Sequence, residues 1–437
     1  MKRHIESELL HWYNSNSKKP LIIHGARQVG KTYSIRSFAQ KKNLKLVEIN
    51  FEKDLSFIEL FDKTRNPQEI LDFLRLSFLE TPFNESTLLF LDEIQASPSA
   101  ITALKFLSES FPSRIIASGS ALGVAIASTS YPVGYVETRI MTPMTFIEFL
   151  WAMNIPEEII NTLHSALLKL EQLPLVIHEK FNDLFKTYIL VGGMPEVVQS
   201  YVTNQSYKET YMIQKRLVND YYNDMAKYAQ GSERIKVREC YQSLPAQLAK
   251  DNKKFQYKLV KKGAGSRHYE ASLQWLADSH MIIKTFKLDN TQFPIEASVD
   301  QSSFKVYLSD TGMLVSLFGE EIIQSILMDN PTIKGVFYEN SIIQLIKAYH
   351  KSAYYYEPNQ YSEIDFIIKR EGQLCPIEVK SSHHTESRSF NHFVQKLKPK
   401  LSLRLSTKNI GYDEDLNIYY LPHYLFEFFL ISEKPLL

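Results

Sequence analysis

The stretch "PLIIHGARQVGKTYSIRSFAQ", residues 20–40, constrains the chain more than any other. An apolar run of strand type leads into Gly25, Ala26, Arg27, Gln28, Val29, Gly30, Lys31 and Thr32, and a helical pattern follows. Strand, G-x-x-x-x-G-K-T loop and helix, in that order, predict the first βα unit of a parallel α/β sheet. The glycines let successive backbone N–H groups curl around an anion, Lys31 reaches the outer phosphates, and the Thr32 hydroxyl sits at a helix N-terminus where it ligates Mg²⁺. All eight positions are candidate ATP-binding residues, with a catalytic role for Lys31 and a metal role for Thr32.

"TLLFLDEIQ", residues 87–95, is a continuous apolar run that ends in two acids. This is the pattern of a parallel strand buried on both faces whose C-terminal end opens onto a ligand crevice. Asp92 is expected to hold Mg²⁺, and Glu93 to orient and deprotonate the attacking water. A third strand, in "SRIIASGSALG" (113–123), ends in Ser118, Gly119 and Ser120. Ser118 is a candidate contact for the terminal phosphate, with a plain Gly-Ser turn as the alternative. Arg114 and Arg139 are the nearest candidates for an arginine finger, from the same chain or a neighbouring copy.

"GARQVGKT", "FLDEIQ", "SYPVGYVETRIMTPMTFIEFL" and "YILVGGMPEVV", with "FKVYLSDTGML", "GVFYENSIIQLI" and "EIDFIIK" further on, jointly resemble AAA-type P-loop ATPases of bacteria and archaea. Members of that family carry a C-terminal domain of unknown function resembling a winged helix followed by a PD-(D/E)xK nuclease-like core. The resemblance covers nearly the whole chain. It implies that Gly25, Gly30, Lys31, Thr32, Asp92 and Glu93 fall on ATP-site motifs, and it transfers no arginine finger.

A chain of 437 residues with 44% hydrophobic and 23% charged residues predicts several soluble domains. No apolar run is long enough to span a membrane, and "MKRHIESELL" lacks an apolar leader, so a cytoplasmic location is expected. Cys240 and Cys375, far apart in sequence, exclude a disulfide framework and a cysteine-based zinc site. The net charge of +1 is unevenly spread. Residues 227–287 hold thirteen Lys or Arg against five Asp or Glu, an excess of eight positive charges in an otherwise mildly acidic chain. Such a local excess is the footprint of a partner polyanion, DNA above all, with a solvated lysine-rich face as the alternative.

Residues 143–226 show helical periodicity in "FIEFLWAM" and "KFNDLFKTYIL" and read as a lid and connector. Gly192 and Gly193 interrupt them, as a hinge or as a helix C-cap. In the basic segment, two helical patterns precede the strand "IIKTFKL", which is winged-helix order. Lys253, Lys254, Lys258, Lys261, Lys262 and Arg267 then fall before or at the start of the second helix, where phosphate contacts belong. Winged helices also bind proteins, so a protein partner stays open.

"EIDFIIKREGQLCPIEVKSS" alternates on both sides of "REGQ" and predicts a hairpin turning at Glu371 and Gly372. A two-residue loop sets Asp365 opposite Glu378 and Glu363 opposite Lys380. Facing carboxylates cost up to about 1 kcal/mol unless a cation separates them. Asp365 and Glu378, with Glu339 from the helical "YENSIIQLIKAY", are therefore candidate ligands for Mg²⁺ or Mn²⁺, with Lys380 as a catalytic neighbour. A helical Glu, an Asp and E-x-K in that order form the PD-(D/E)xK nuclease pattern. The alternative is an ordinary ion pair on an open face, in a core that only binds.

These observations lead to an α/β protein with four parts: an AAA-like P-loop domain with a parallel sheet (1–142), a helical lid and connector (143–226), a basic winged-helix-like module (227–300) and a restriction-endonuclease-like α/β core (301–437). Expected partners are ATP, Mg²⁺ and DNA through residues 227–287, with homo-oligomerisation open. The competing reading is an ATP-dependent switch or scaffold for a protein partner, its nuclease-like core inactive. A small-molecule kinase lacks an evident acceptor-binding lid.

Overall fold

Five short segments of the N-terminal region become strands: β1 (Leu21–His24), β2 (Lys45–Asn50), β3 (Thr87–Asp92), β4 (Arg114–Gly119) and β5 (Glu137–Ile140). The computed structural model describes residues 1–120, 123, 130–228, 233–250, 253–359, 362–382 and 387–432. The strands lie in the order β2-β3-β4-β1-β5, and each neighbouring pair is parallel. Every side chain of β3 is buried, as its continuous apolar run predicts for a strand covered on both faces. Because β4 lies between β1 and β3, the C-terminal ends of all three open on one crevice.

The covering helices are α1 (Ile5–Asn14), α2 (Lys31–Lys41), α3 (Leu55–Lys63), α4 (Pro67–Ser77) and α5 (Pro98–Ser110). Ile101, Leu104 and Leu107 of α5 pack on Leu89, Leu91 and Ile115 of the sheet. Each such side chain contributes about 1.5–3 kcal/mol on burial. The start of α5 is set locally: Ser97 Oγ accepts from the Ala100 N–H at 3.3 Å, and Pro98 occupies the first turn, where its missing N–H costs nothing. This compact unit comprises Met1–Thr142 with Asp278–His280, and a second one comprises Pro143–Ala277 with Met281–Leu437.

The second unit begins with helices α6 (Phe146–Ala152), α7 (Glu157–Lys169), α8 (Leu175–Val191), α9 (Pro195–Asn204) and α10 (Tyr207–Tyr228). A capping box between Thr145 and Glu148 starts α6. Then come α11 (Glu233–Leu248), α12 (Tyr257–Val260), α13 (Ser266–Asp278), β6 (Ile282–Leu288), β7 (Val299–Leu308), α14 (Thr311–Phe318), α15 (Glu321–Leu327) and α16 (Pro331–Ala348). The chain continues through β8 (Ala353–Asn359), β9 (Ser362–Arg370), β10 (Gln373–Val379), α17 (Arg388–Leu397), β11 (Ser402–Ser406), β12 (Gly411–Asp413), β13 (Ile418–Pro422) and α18 (Phe426–Ile431).

Its eight strands form one mixed sheet in the order β12-β13-β11-β10-β9-β8-β6-β7. The boundary expected between residues 300 and 301 falls inside β7, which pairs antiparallel with β6, and β6 pairs parallel with β8. The strands that follow the basic helices therefore belong to the same sheet as β9 and β10. A lone hairpin buries too little apolar surface to stand by itself, and joining the larger sheet supplies the cover. The hairpin β9–β10 runs from Gln373 opposite Arg370 to Ile377 opposite Phe366, the register expected from the sequence. Its turn residues Glu371 and Gly372 both have positive φ, 50° and 72°.

Of the two readings of the glycine pair after α8, the helix C-cap is observed at Gly192, and both glycines are closely packed. Met144 N–H donates to Gly193 O at 2.6 Å, and Gly193 N–H donates to Asp310 Oδ2 at 2.6 Å. A Cβ on Gly193 would stand 2.2 Å from Met144 O, and one on Gly192 2.4 Å from Asp310 Oδ1. Asp310 also caps α14 by accepting from Met313 N–H at 2.9 Å. Among the described residues, no helix is long and apolar enough to cross a membrane.

Gly193→Ala is expected to lose about 2–3 kcal/mol in urea denaturation, the cost of overpacking a site closed by backbone atoms. Gly265→Ala, where an added Cβ meets nothing within 4 Å, is the control and leaves the midpoint unchanged.

Candidate functional site

The loop between β1 and α2 takes its shape from three residues. Gly25 has φ 148°, and a Cβ there would lie 2.0 Å from Met141 O, so only glycine lets the loop pass the chain leaving β5. Gln28 and Gly30 have φ of 65° and 97°, which turns the backbone into the tight curl that ends at α2. Arg3 holds this curl from behind, donating to Val29 O at 2.8 Å and Thr142 O at 2.7 Å. Lys31 Nζ folds into the loop and donates to Gly25 O at 3.0 Å and Ala26 O at 2.8 Å. Burial lowers its pKa to about 8, against the opposing pull of Glu93 and Asp92.

Asp92, buried at the end of β3, accepts from Ser118 Oγ at 2.5 Å, Asn50 Nδ2 at 3.1 Å and Thr32 Oγ1 at 3.3 Å. Three neutral donors surround this carboxylate, and among the described residues no lysine or arginine pairs with it. Oxygen donors of this kind, beside a hydroxyl at the N-terminus of α2, fit Mg²⁺ held by Thr32 and Asp92. Glu93 follows with a left-handed φ of 50°, which turns its side chain away from the strand direction. Gln95 Nε2 donates to Glu93 Oε2 at 2.5 Å, and Ser120 Oγ lies 3.4 Å from the same oxygen. The structure thus brings together the loop, Lys31, Thr32, Asp92, Glu93 and Ser118. Asn50, Gln95 and Arg3 were not singled out in the sequence. For Asn50 a signal existed, since it is a polar residue at a strand end as Asp92 is, and the two are register partners.

Both arginines expected as fingers have other partners in this structure. Arg114 starts β4, at the opposite end of the strand from Ser118, and donates to Tyr13 O at 3.0 Å, Ser15 O at 2.7 Å and Ser17 O. It closes the connection between α1 and β1. Arg139 is spent on Glu8 at 3.0 Å and Glu137 at 3.3 Å.

The second candidate site lies in the second unit. Glu339, buried on α16, is held by Lys253 and by Tyr307 OH, with Lys305 Nζ 3.6 Å away. Lys305, fully buried on β7, also pairs with Glu363 and stands 5.0 Å from the centre of the Tyr355 ring. Asp365 Oδ2 accepts from Val379 N–H at 2.8 Å, as expected of a residue opposite Glu378. Burial pushes the Asp365 carboxyl well above the usual carboxylate range, and Glu378 and Glu339 push it the same way. Glu378 pairs through Oε1 with Lys380 at 2.6 Å, while its buried Oε2 lacks a partner.

Two expectations change here. The Glu363–Lys380 pair is replaced by Lys305–Glu363 and Lys380–Glu378, because Lys305 reaches Glu363 from β7. Among the described residues no three His, Cys, Asp or Glu side chains are arranged to hold a metal ion. Glu339, Asp365 and Glu378 share one neighbourhood, but Glu339 is committed to two lysines and a tyrosine. Lys305 and Tyr307 alternate on one face of "FKVYL", and a lysine inside an apolar strand is the sequence signal that would have found them.

Of the cations in the basic segment, Lys258, Lys261, Lys262 and Arg267 are exposed around α12 and the start of α13, Lys254 is half-buried, and Lys253 turns inward to Glu339. A cavity of about 410 Å³ beside them is lined by Lys236, Lys261, Lys262 and His268. Residues 229–232 and 251–252 of this segment lie outside the described residues.

Residues 17–150 match the family model described as AAA domain. Residues 182–322 and 334–424 match two models described as domains of unknown function, DUF8612 and DUF4143. No curated protein matches the chain. Among solved structures, a Walker-type ATPase of Pyrococcus abyssi is similar at 16% identity, with 72% of this chain and 95% of that one covered and a TM-score of 0.45. The ORC1 protein of Aeropyrum pernix, solved in complex with DNA, is 11% identical over 76% of this chain and 94% of that one, with a TM-score of 0.30. PCH-2 of C. elegans is 10% identical over 46% and 63% of the two chains, with a TM-score of 0.27. The match at residues 17–150, the parallel sheet and the loop at Gly25–Thr32 together make the N-terminal unit a P-loop domain of AAA type.

Proposed function

We propose that the protein binds and hydrolyses ATP at Lys31, Thr32, Asp92 and Glu93, and that its C-terminal half binds DNA without cutting it. The observation that carries the first part is the buried Asp92 carboxylate, solvated by Thr32, Asn50 and Ser118 and, among the described residues, paired with no cation. In this reading Mg²⁺ supplies charge neutralisation of the phosphates. Lys31 leaves the carbonyls of Gly25 and Ala26 to meet the outer phosphates. Glu93, held by Gln95, orients and deprotonates the attacking water. Ser118 contacts the terminal phosphate once Asp92 no longer occupies its hydroxyl. With Arg114 and Arg139 engaged elsewhere, an arginine finger would come from a second copy or a partner, which favours an assembly around the nucleotide.

The exposed cations at Lys258, Lys261, Lys262 and Arg267 support contact with a phosphate backbone. The acidic cluster supports binding over cleavage. Lys253, Lys305 and Lys380 balance Glu339, Glu363 and Glu378, and Asp365 is held toward its neutral form. A metal-dependent nuclease would have to strip Glu339 of its lysines first.

Lys31→Ala is expected to abolish ATP turnover in a phosphate-release assay. Glu93→Gln should keep nucleotide binding and lose about 10²-fold in kcat, with duplex DNA stimulating only the unaltered chain. Unchanged turnover in Lys31→Ala removes the ATPase assignment. kcat/KM for ATP reads the free protein and free ATP, and Lys31 is protonated below about pH 8, so the alkaline limb of the profile falls about tenfold per unit above that pH. A profile flat to higher pH would detach the lysine's charge from binding.

Asp365→Asn should cost less stability than loss of the Glu339 charge, since burial and its acidic neighbours push the Asp365 carboxyl toward its neutral form. Glu339→Gln leaves the buried Lys305 and the partly buried Lys253 short of a counter-charge and should cost about 3 kcal/mol or more in urea denaturation. Equal losses in the two variants would remove the distinction drawn between the two carboxyls.

A further inference from the structure

A cavity of about 690 Å³ opens in the second unit, apart from the acidic cluster. It lies between α8, the N-terminal turn of α16, the Ser381–Ser382 turn after β10 and the Thr407–Asn409 loop after β11. That volume falls within the range of small-molecule sites, and is too confined for a duplex.

Its charges are unevenly placed. Lys334 of α16 is 5% exposed, and its Nζ lies 2.7 Å from Asp329 Oδ1 and 5.3 Å from the centre of the Tyr338 ring. Lys186 of α8 reaches the same Asp329 oxygen at 3.1 Å. Two lysines therefore share one counter-ion, and that acid's side chain is 55% exposed. A buried ammonium with half of a solvent-facing partner is under-neutralised. The other acids of the lining, Glu179 and Asp183, are exposed on α8 beside an exposed Lys408. The eighteen-residue α16 begins at the cavity wall, and its N-terminal end adds positive potential. Among the described residues the hydroxyls of Ser381 and Ser382 make no hydrogen bond. The buried His178 in the same wall is not a ligand group, since its ring nitrogens face Tyr424 OH at 2.8 Å and Thr407 O at 3.0 Å.

We infer that this cavity binds a small phosphate monoester. Lys334 and Lys186 receive the phosphate, Ser381 and Ser382 donate to its oxygens, and Asp329 yields its two lysines to the ligand and turns to solvent. The organic part of the ester extends along α8 toward Asn182 and the Thr407–Asn409 loop.

The test is isothermal titration of the full chain carrying Lys31→Ala, which weakens phosphate binding at the nucleotide loop, with ribose 5-phosphate and with inorganic phosphate. One site is expected, with ribose 5-phosphate the tighter of the two. Adding Lys334→Met should weaken it about tenfold, the effect of removing one charge-assisted hydrogen bond. Lys186→Met, at a partly exposed position, should do likewise and keeps the test valid if the buried substitution unfolds the chain. Absence of binding by both probes overturns the inference, as does an affinity that neither lysine substitution changes. Inorganic phosphate binding more tightly than the ester overturns the ester assignment.

Discussion

A carboxylate taken out of water has to be solvated by something, and the first unit is arranged around one such group. Asp92 ends a strand with no exposed side chain, so its charge is stabilised by dipoles drawn from three other segments: Asn50 from β2, Thr32 from α2 and Ser118 from β4. Each donor is in place because of the parallel order β2-β3-β4-β1, which brings the strand ends to one edge. Neutral donors solvate the charge without pairing it, and Lys31 acts on it only across space. That is the electrostatic condition for recruiting a divalent ion together with a polyanion.

The acidic cluster of the second unit solves the same problem in the opposite way. Its carboxylates meet lysines: Lys253 and Lys305 at Glu339, Lys305 at Glu363, and Lys380 at Glu378. Where Asp92 attracts a cation from solution, this cluster already contains its own. The difference lies in the source of charge, since both sites are buried and both stand at the ends or faces of strands.

Much of this was legible in the sequence because it depends on local pattern. The loop at Gly25–Thr32, the strand ending at Asp92 and the hairpin at Glu371–Gly372 each follow from spacing and turn chemistry within some twenty residues. The hairpin register put Asp365 beside Glu378, as the alternation implied. What stayed hidden depends on elements far apart in the chain. Lys305 reaches Glu363 across 58 positions and Lys253 reaches Glu339 across 86, and no periodicity encodes such a meeting. The partners of the arginines were hidden for a related reason. A guanidinium is long and adaptable, so Arg114 serves the carbonyls nearest its strand end. The place of β6 and β7 in the large sheet was also out of reach, since strand pairing over more than fifty residues leaves no local trace.

Lys253 joins two of these features in one covalent segment. It belongs to the basic stretch whose neighbours Lys258, Lys261 and Lys262 face solvent, yet its own ammonium is anchored on Glu339. Displacement of that stretch would alter the charge balance around Glu339, and a change in that balance would alter the freedom of the stretch. The two are thermodynamically linked, and the linkage acts equally in both directions. A polyanion that drew Lys253 outward and a proton or cation that took its place at Glu339 would therefore favour each other, although their own contacts lie on different elements.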